Sequence, residues 1–170
     1  QFIFIISFFL FFPLETFSSE KNCNDIQQYN GFYVLKYTFV KFTGVCVLYD
    51  GKGNLIEQRS YKDGEKEGKF LTFKDNKIFE TYYMRNNELD GLFKSFRNEE
   101  LVKKINYNDG ELIYCEISLS EIMSREKELI ILQKQYFNEE SNNQLKEKII
   151  NIDKTLISDK ESCEIKETIN

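Results

Sequence analysis

Glycine and asparagine recur in the middle of the chain at an interval of 23 residues. Gly64, Asn87 and Gly110 share one position of this interval, and Gly68 and Gly91 share another. Asn replaces Gly best where φ is positive, so the first position requires a left-handed turn. Asp63 and Asp109 precede Gly64 and Gly110, which is a common hairpin signal. All five residues are therefore predicted to be structural turns.

The segments between these turns are predicted to be strands. They are about five to eight residues long and rich in aromatic and β-branched side chains, as strands are. Each unit thus predicts one β-hairpin, and successive hairpins predict an antiparallel meander. We expect a mainly β fold with an elongated single-layer sheet over residues 42–115, preceded by lead-in strands in residues 19–41.

Two ligand-binding interpretations of the glycines are disfavoured. A phosphate-binding loop needs a following helix, but here the glycines lead into "KFLTF", which is typical of a strand. The segment "DGKGN" lacks the alternating acidic ligands and terminal glutamate of a calcium loop. We therefore expect no cofactor and no metal site.

The repeated residues resemble a known family, the MORN-variant repeat. Its pattern of Tyr, two spaced glycines, aromatic residues and an Asn-bearing turn occurs in "YKDGEKEGKFLTFKDNKI", "MRNNELDGLFKSFRNEEL" and the incomplete "YNDGELIY". The resemblance covers about residues 42–114, and Met84 and Asn87 stand where the pattern has Tyr and Gly. It implies a sheet of hairpins that serves as a scaffold or a binding surface. Variant-repeat proteins in bacteria are often described as antitoxin-like.

Aromatic residues in the repeat form a candidate binding surface. A single-layer sheet cannot hide both faces, so aligned rings either pack on one another and on the terminal segments or contact a partner. Such a partner is a peptide, a protein or a glycan. The candidate residues are Tyr49, Tyr61, Phe73, Tyr83, Phe96 and Tyr107.

The C-terminal third has a helical pattern. Ser118 is expected to be a helix N-cap, with Glu121 three residues later completing a capping box. Apolar residues then follow at helical spacing on both sides of "NEESNN", which predicts a two-helix hairpin over residues 118–160 and a tail over 161–170. Its charged residues carry both signs, as on a solvated face. The alternative is that the apolar stripe dimerises as a coiled coil.

The first residues are expected to be a signal peptide over residues 1–18, incomplete at its N-terminus. An apolar run from Phe2 to Phe12 is followed by Pro13 and then by polar residues. This run is short for a membrane-spanning helix and matches the apolar core of a secretory signal. The alternatives are a longer uncleaved anchor and a buried apolar strand. Contact with a membrane is expected only through this segment.

Export changes the interpretation of the four cysteines. In an oxidising compartment they allow three complete pairings. If the first helix leaves the sheet after Cys115 and the second returns over a similar length, Cys163 comes back near Cys115. We therefore predict a Cys115–Cys163 disulfide, which leaves Cys23 and Cys46 as a second pair.

Composition excludes several classes of function. The net charge of −5 disfavours a broad surface for nucleic acid. The chain contains no His, which removes Ser and Cys catalysis that depends on a His base. Glycoside hydrolysis needs only two carboxyl groups, but the sequence singles out no pair. We expect a protein that is not an enzyme.

The sequence thus predicts an exported, non-enzymatic repeat protein that serves as a protein-interaction or scaffold module at the cell envelope. Its location would be periplasmic, envelope-bound or secreted. The alternative is a repeat module that binds an envelope glycan or the cell wall, and an antitoxin-like protein is a further interpretation. The identity of the partner and the oligomeric state stay open at this point.

Overall fold

The computed structural model describes residues 20–138 and 142–169. The predicted signal peptide, residues 1–18, lies outside the described residues. Within them the fold is mainly β with two C-terminal helices, as predicted. The helices are α1 (Leu119–Asn138) and α2 (Asn143–Ser162), and a short 3-10 helix spans Cys23–Asp25.

Thirteen strands are described, and most of them belong to one open, mostly antiparallel sheet. The strands are β1 (Lys21–Asn22), β2 (Ile26–Tyr29), β3 (Phe32–Leu35), β4 (Gly44–Tyr49), β5 (Leu55–Lys62), β6 (Glu65–Lys66), β7 (Gly68–Lys74), β8 (Lys77–Arg85), β9 (Glu88–Leu89), β10 (Gly91–Arg97), β11 (Glu100–Asn108), β12 (Glu111–Ser118) and β13 (Glu164–Lys166).

The order of strands in the large sheet is β1-β4-β5-β7-β8-β10-β11-β12-β13. The short strands β6 and β9 pair with β5 and β8. Each long strand from β4 to β12 pairs antiparallel with the next long strand along the chain, whereas β1 and β13 run parallel to their neighbours at the two edges. Strands β2 and β3 form a separate antiparallel pair.

The turns on one side of the sheet contain pairs of residues with positive φ. Gly64, Asn87 and Gly110 are the second members of these pairs, with φ of 81°, 71° and 80°. Only Gly reaches this region without strain, and Asn tolerates it better than other residues. Gly68 and Gly91 also have positive φ, 98° and 86°, and each is the first residue of a long strand.

Neighbouring turns are hydrogen-bonded to each other. Gly44, Gly68 and Gly91 are the first residues of β4, β7 and β10. The side chain of the residue before each glycine accepts a hydrogen bond from a backbone N–H of the next turn. These bonds are Asp63 N–H to Thr43 Oγ1 (2.8 Å), Asn86 N–H to Glu67 Oε2 (3.1 Å) and Asp109 N–H to Asp90 Oδ1 (3.4 Å). The turns thus form a connected row along one margin of the sheet.

The sheet has two distinct faces, because side chains alternate along each strand. We call the face that carries Cys46, Tyr61 and Phe70 the inner face. The face that carries Lys69 and Tyr83 is the outer face. Strand register then assigns the other residues: Phe70 lies opposite Tyr82, and Lys69 lies opposite Tyr83.

The inner face is covered at its N-terminal end. The rings of Tyr33, from β3, and Phe42 pack on Tyr61, with centroid distances of 4.9 and 5.7 Å. Cys23, Phe42, Cys46 and Tyr61 form a buried cluster there. This N-terminal cover occupies the lead-in region predicted at residues 19–41 and extends slightly beyond it.

The helical hairpin covers the other end of the inner face. Ile117 of β12 is fully buried against Ile122 of α1 and Leu156 of α2. Two residues of the apolar stripes predicted on the helices, Ile122 and Leu156, therefore pack against the sheet. The Ser118 hydroxyl accepts a hydrogen bond from the Glu121 N–H at 3.2 Å, as expected for the predicted cap. The predicted tail, residues 161–170, contains the end of α2 and strand β13.

Both edges of the sheet are closed by short parallel strands next to a disulfide. Cys23, which follows β1, is bonded to Cys46 of β4, and Cys163, which precedes β13, is bonded to Cys115 of β12. The predicted Cys115–Cys163 pairing is confirmed, and the second pair is the remaining one. Unpaired edge strands invite association with other chains, so these additions protect the sheet.

Candidate functional site

The six aromatic residues of the predicted binding surface do not share one face. Alternation places four of them on the outer face and two on the inner face. Those on the outer face are Tyr49, Phe73, Tyr83 and Phe96, and those on the inner face are Tyr61 and Tyr107. Sequence spacing alone cannot separate them, because register shifts between neighbouring strands change which residues become neighbours.

Tyr61 is a correction to the predicted surface. Only 4% of this residue is exposed, because the N-terminal cover lies over its ring. Burial also raises the pKa of Tyr61 above the ordinary value, since the phenolate would be poorly solvated. Tyr61 therefore belongs to the core, whereas Tyr49 and Tyr83 are each 46% exposed.

Between the two covers, the middle of the inner face stays open as a trough. We define the trough by the inner-face residues of β7, β8 and β10, with the facing side chains of β11 and α1 at its rim. A row of aromatic rings crosses the strands here, from Phe70, which is 2% exposed and belongs to the core, to the partly exposed Tyr82 and Phe93. Phe70, Tyr82 and Phe93 follow one another with centroid distances of 5.3 and 6.0 Å and interplanar angles of 19° and 25°.

One end of the trough combines apolar and aromatic side chains with charged residues at the end nearer the helices. A groove of about 460 Å³ is lined there by Tyr82, Met84, Phe93, Ile105 and Tyr107, among others. The pKa of Tyr82 and that of Tyr107 are raised above the ordinary value, chiefly by burial. Both phenols are therefore neutral hydrogen-bonding groups at the edge of an apolar surface.

The other end of the trough carries a buried ion cluster, which joins the sheet to the helices. Asp159 accepts hydrogen bonds from Lys103 at 2.5 Å and from Arg125 at 2.6 Å. Glu121 accepts from Arg125 at 2.8 Å and from Arg97 at 3.4 Å. These five residues line a cleft of about 650 Å³ that continues from the apolar groove.

This cluster corrects the expectation of a solvated helix face. Glu121 and Asp159 are 4% and 7% exposed, and each is held by two cations. Their charges raise the pKa of Arg125 above the ordinary value, although burial acts in the opposite direction. Buried charges require such partners because an isolated charge in the interior is very unfavourable.

Glu80 lies where the apolar groove and the charged cleft meet. Burial raises the pKa of Glu80 above the ordinary value, and the charges of Arg97 and Lys103 oppose this shift. The Arg97 guanidinium stacks on the Phe79 ring at 4.1 Å from its centroid and is partly exposed. Arg97 therefore presents hydrogen-bond donors at the rim of the trough.

Tyr82 and the ion cluster were missed by sequence reasoning. Phe70 and Phe93 occupy equivalent positions of the 23-residue interval, and this column could have revealed the ring row. The partners of Asp159 come from β11 and α1, which are far from it in sequence, so no local pattern reveals them.

The described residues include no group of His, Cys, Asp or Glu side chains arranged to hold a metal ion. Neither described helix is long and apolar enough to cross a membrane. Comparisons of the chain with protein-family models, with curated proteins and with solved structures found no match.

Proposed function

We propose that this chain is an exported, non-enzymatic protein of the MORN-variant repeat type that binds a protein partner at the cell envelope. A polypeptide segment of the partner lies in the trough of the inner face. The single observation that carries this proposal is the groove between the two covers, which is lined by Tyr82, Met84 and Phe93 and continues into the cleft at the ion cluster.

The backbone supports a repeat of 23 residues. Turn residues with positive φ recur at this interval, as in Asp75 and Asn98, or Asn76 and Glu99. Register shifts recur at the same interval, because Ile56, Phe79 and Val102 are each left without a partner in the pairing with the preceding strand. An unpaired residue of this kind is a β-bulge, which bends the strand and increases its twist.

The two disulfides support export. Disulfides form and persist in oxidising compartments and are rare in the cytosol. All four cysteines of the chain take part in them. The disulfides are compatible with a periplasmic, envelope-bound or secreted location.

The geometry of the rings favours a protein partner in the trough. The Tyr82 ring is stacked between those of Phe70 and Phe93, and Phe70 itself is buried. A sugar ring packs best on an exposed aromatic face, whereas Tyr82 is flanked by a ring on each side. Apolar side chains, by contrast, pack readily on ring edges and on Met84.

Two substitutions at adjacent residues test this function. Met84→Lys places a charge in the apolar groove of the trough, whereas Tyr83→Lys places the same charge on the outer face. We expect that protein partners cross-linked in envelope extract are lost with Met84→Lys and retained with Tyr83→Lys. Far-UV circular dichroism and thermal unfolding establish that both variants keep the fold.

A folded Met84→Lys variant that captures the same partners as the parent protein would exclude the trough as the binding site. Loss of the partners with Tyr83→Lys alone would move the site to the outer face. If purified wall polysaccharide occupied the trough in competition with the protein partner, the alternative of a glycan-binding module would replace this proposal.

A further inference from the structure

The outer face has a charge pattern that the trough does not explain. The whole chain has a net charge of −5. Along the long strands from β5 to β11, however, every charged side chain on the outer face is basic. These residues are Lys62, Lys69, Arg85, Lys94 and Lys104. Glu65 and Glu88 lie only at the turn margin, opposite Lys62 and Arg85.

Two lysines in the centre of this face, Lys69 and Lys94, lack an ion-pair partner among the described residues, whereas Lys104 lies opposite the acidic Glu116 of β12 on the same face. Lys94 lies directly opposite Lys104 in the pairing of β10 and β11. Like charges at this position repel each other. Lys104 is 3.9 Å from Glu116, whereas Lys69 and Lys94 form no ion pair with the described residues. A bound anion would relieve this repulsion.

Tyr83 lies beside these lysines and has a different environment from the rings of the trough. It is 46% exposed and lies directly opposite Lys69. Among the described residues its ring stacks on no other aromatic ring. Next to it lies a shallow depression of about 510 Å³, whose lining includes Lys69, Lys94 and Phe96 together with the Lys77–Glu99 ion pair. An uncovered ring beside cations suits a flat, anionic ring-shaped ligand.

We propose that the outer face binds an anionic polysaccharide. Its carboxylate or sulfate groups contact Lys69, Lys94 and Lys104, and one sugar ring packs on Tyr83. Carboxylates and sulfates form charge-assisted hydrogen bonds with ammonium groups. A polysaccharide fits better than an acidic protein because an exposed ring that stacks on no other ring lies beside the lysines. This surface lies on the other side of the sheet from the trough and is independent of it.

Binding to polygalacturonate, dextran sulfate and neutral dextran tests this proposal on the protein with both disulfides formed. We expect both anionic polymers to bind, with an affinity that falls as salt is added, and neutral dextran not to bind. The double variant Lys69→Gln/Lys94→Gln should bind about tenfold more weakly. The double variant Lys52→Gln/Lys146→Gln makes the same change in net charge away from the outer face and should bind about as well as the parent.

Tyr83→Leu distinguishes a polysaccharide from other anionic partners. It should weaken binding of polygalacturonate but leave binding of polyglutamate, if any, unchanged. The proposal is overturned if the two lysine variants behave alike, if polyglutamate binds as tightly as polygalacturonate, or if none of the polymers binds. Tighter binding to phosphatidylserine vesicles than to either polysaccharide would overturn it in favour of a membrane surface. Each of these outcomes leaves the trough proposal unaffected.

Discussion

The Lys103 ammonium donates a hydrogen bond to Asp159 Oδ1 at 2.5 Å, across 56 residues of sequence. This bond links β11 of the sheet to α2. The other carboxylate oxygen of Asp159 accepts from Arg125 of α1, so one buried carboxylate joins the sheet and both helices. The position of the helical hairpin, and hence one wall of the trough, depends on this junction.

Asp159→Ala should destabilise the protein by about 3 kcal/mol, because it leaves two cations without their buried partner. Urea unfolding monitored by far-UV circular dichroism measures this loss. Glu128→Ala is the matched control, since Glu128 pairs with Lys148 at 3.0 Å in an exposed position and should cost less than about 1 kcal/mol. Equal losses in the two variants would show that Asp159 does not hold the junction.

Gly64→Ala should be more destabilising than Gly91→Ala. Both residues have positive φ, 81° and 86°, so each substitution carries a backbone cost of about 1–2 kcal/mol. At Gly64 an added Cβ would also lie 3.0 Å from Phe32 Cβ and 3.1 Å from the Tyr33 carbonyl oxygen, whereas at Gly91 no described atom lies within 4 Å. The difference in unfolding free energy between the two variants tests this contact, and the reverse order would contradict it.

Removal of each disulfide should destabilise the protein according to the length of chain that it closes. The separations are 23 residues for Cys23–Cys46 and 48 residues for Cys115–Cys163. Loop-closure entropy predicts losses of about 3 and about 4 kcal/mol for the paired Cys→Ala variants. Urea unfolding curves of the two variants and of the oxidised parent give these values from the midpoint and the slope together. An unchanged midpoint in either variant would show that its bridge does not restrict the unfolded chain.

Glu80→Gln and Glu116→Gln should have opposite effects at neutral pH. Burial raises the pKa of Glu80, so ionisation of this group opposes folding once the pH rises above the unfolded value of about 4.5. Hydrogen bonds from Lys166 and Tyr114 lower the pKa of Glu116, so its stabilisation is present above the unfolded value and is lost as the pH falls through the lower folded value.

At pH 7, therefore, Glu80→Gln should be more stable than the parent and Glu116→Gln less stable. Both differences should shrink as the pH falls, the first between the raised folded pKa of Glu80 and the unfolded value, and the second below the unfolded value. Unfolding curves between pH 3 and pH 7 measure these trends. A Glu80→Gln variant that is less stable than the parent at pH 7 would show that Arg97 and Lys103 outweigh the effect of burial.

The sequence predicted those features that depend on the backbone preferences of single residues or on the lengths of the two helices. The residue types at Gly64, Asn87 and Gly110 indicate positive φ directly, because few residues tolerate it. The pairing of Cys115 with Cys163 followed from two helices of similar length with a short link, each 20 residues long in the structure.

The assignment of residues to faces could not be predicted, because it depends on the register of neighbouring strands. Tyr82 and Tyr83 are adjacent in sequence and have the same side chain, yet Tyr82 lies in the trough and Tyr83 on the outer face.

Strand β13 was missed because its pairing partner is distant in sequence. It is three residues long and pairs with a strand about 48 residues earlier, so it leaves no local pattern.

The short strands at the two edges set the lateral extent of the sheet. Each pairs with part of its neighbour, two of the six residues of β4 and three of the eight residues of β12, and a disulfide lies beside each of them. Strand addition is thus restricted over the paired part of each margin. The number of hairpins between Cys46 and Cys115 then fixes the width available to any partner.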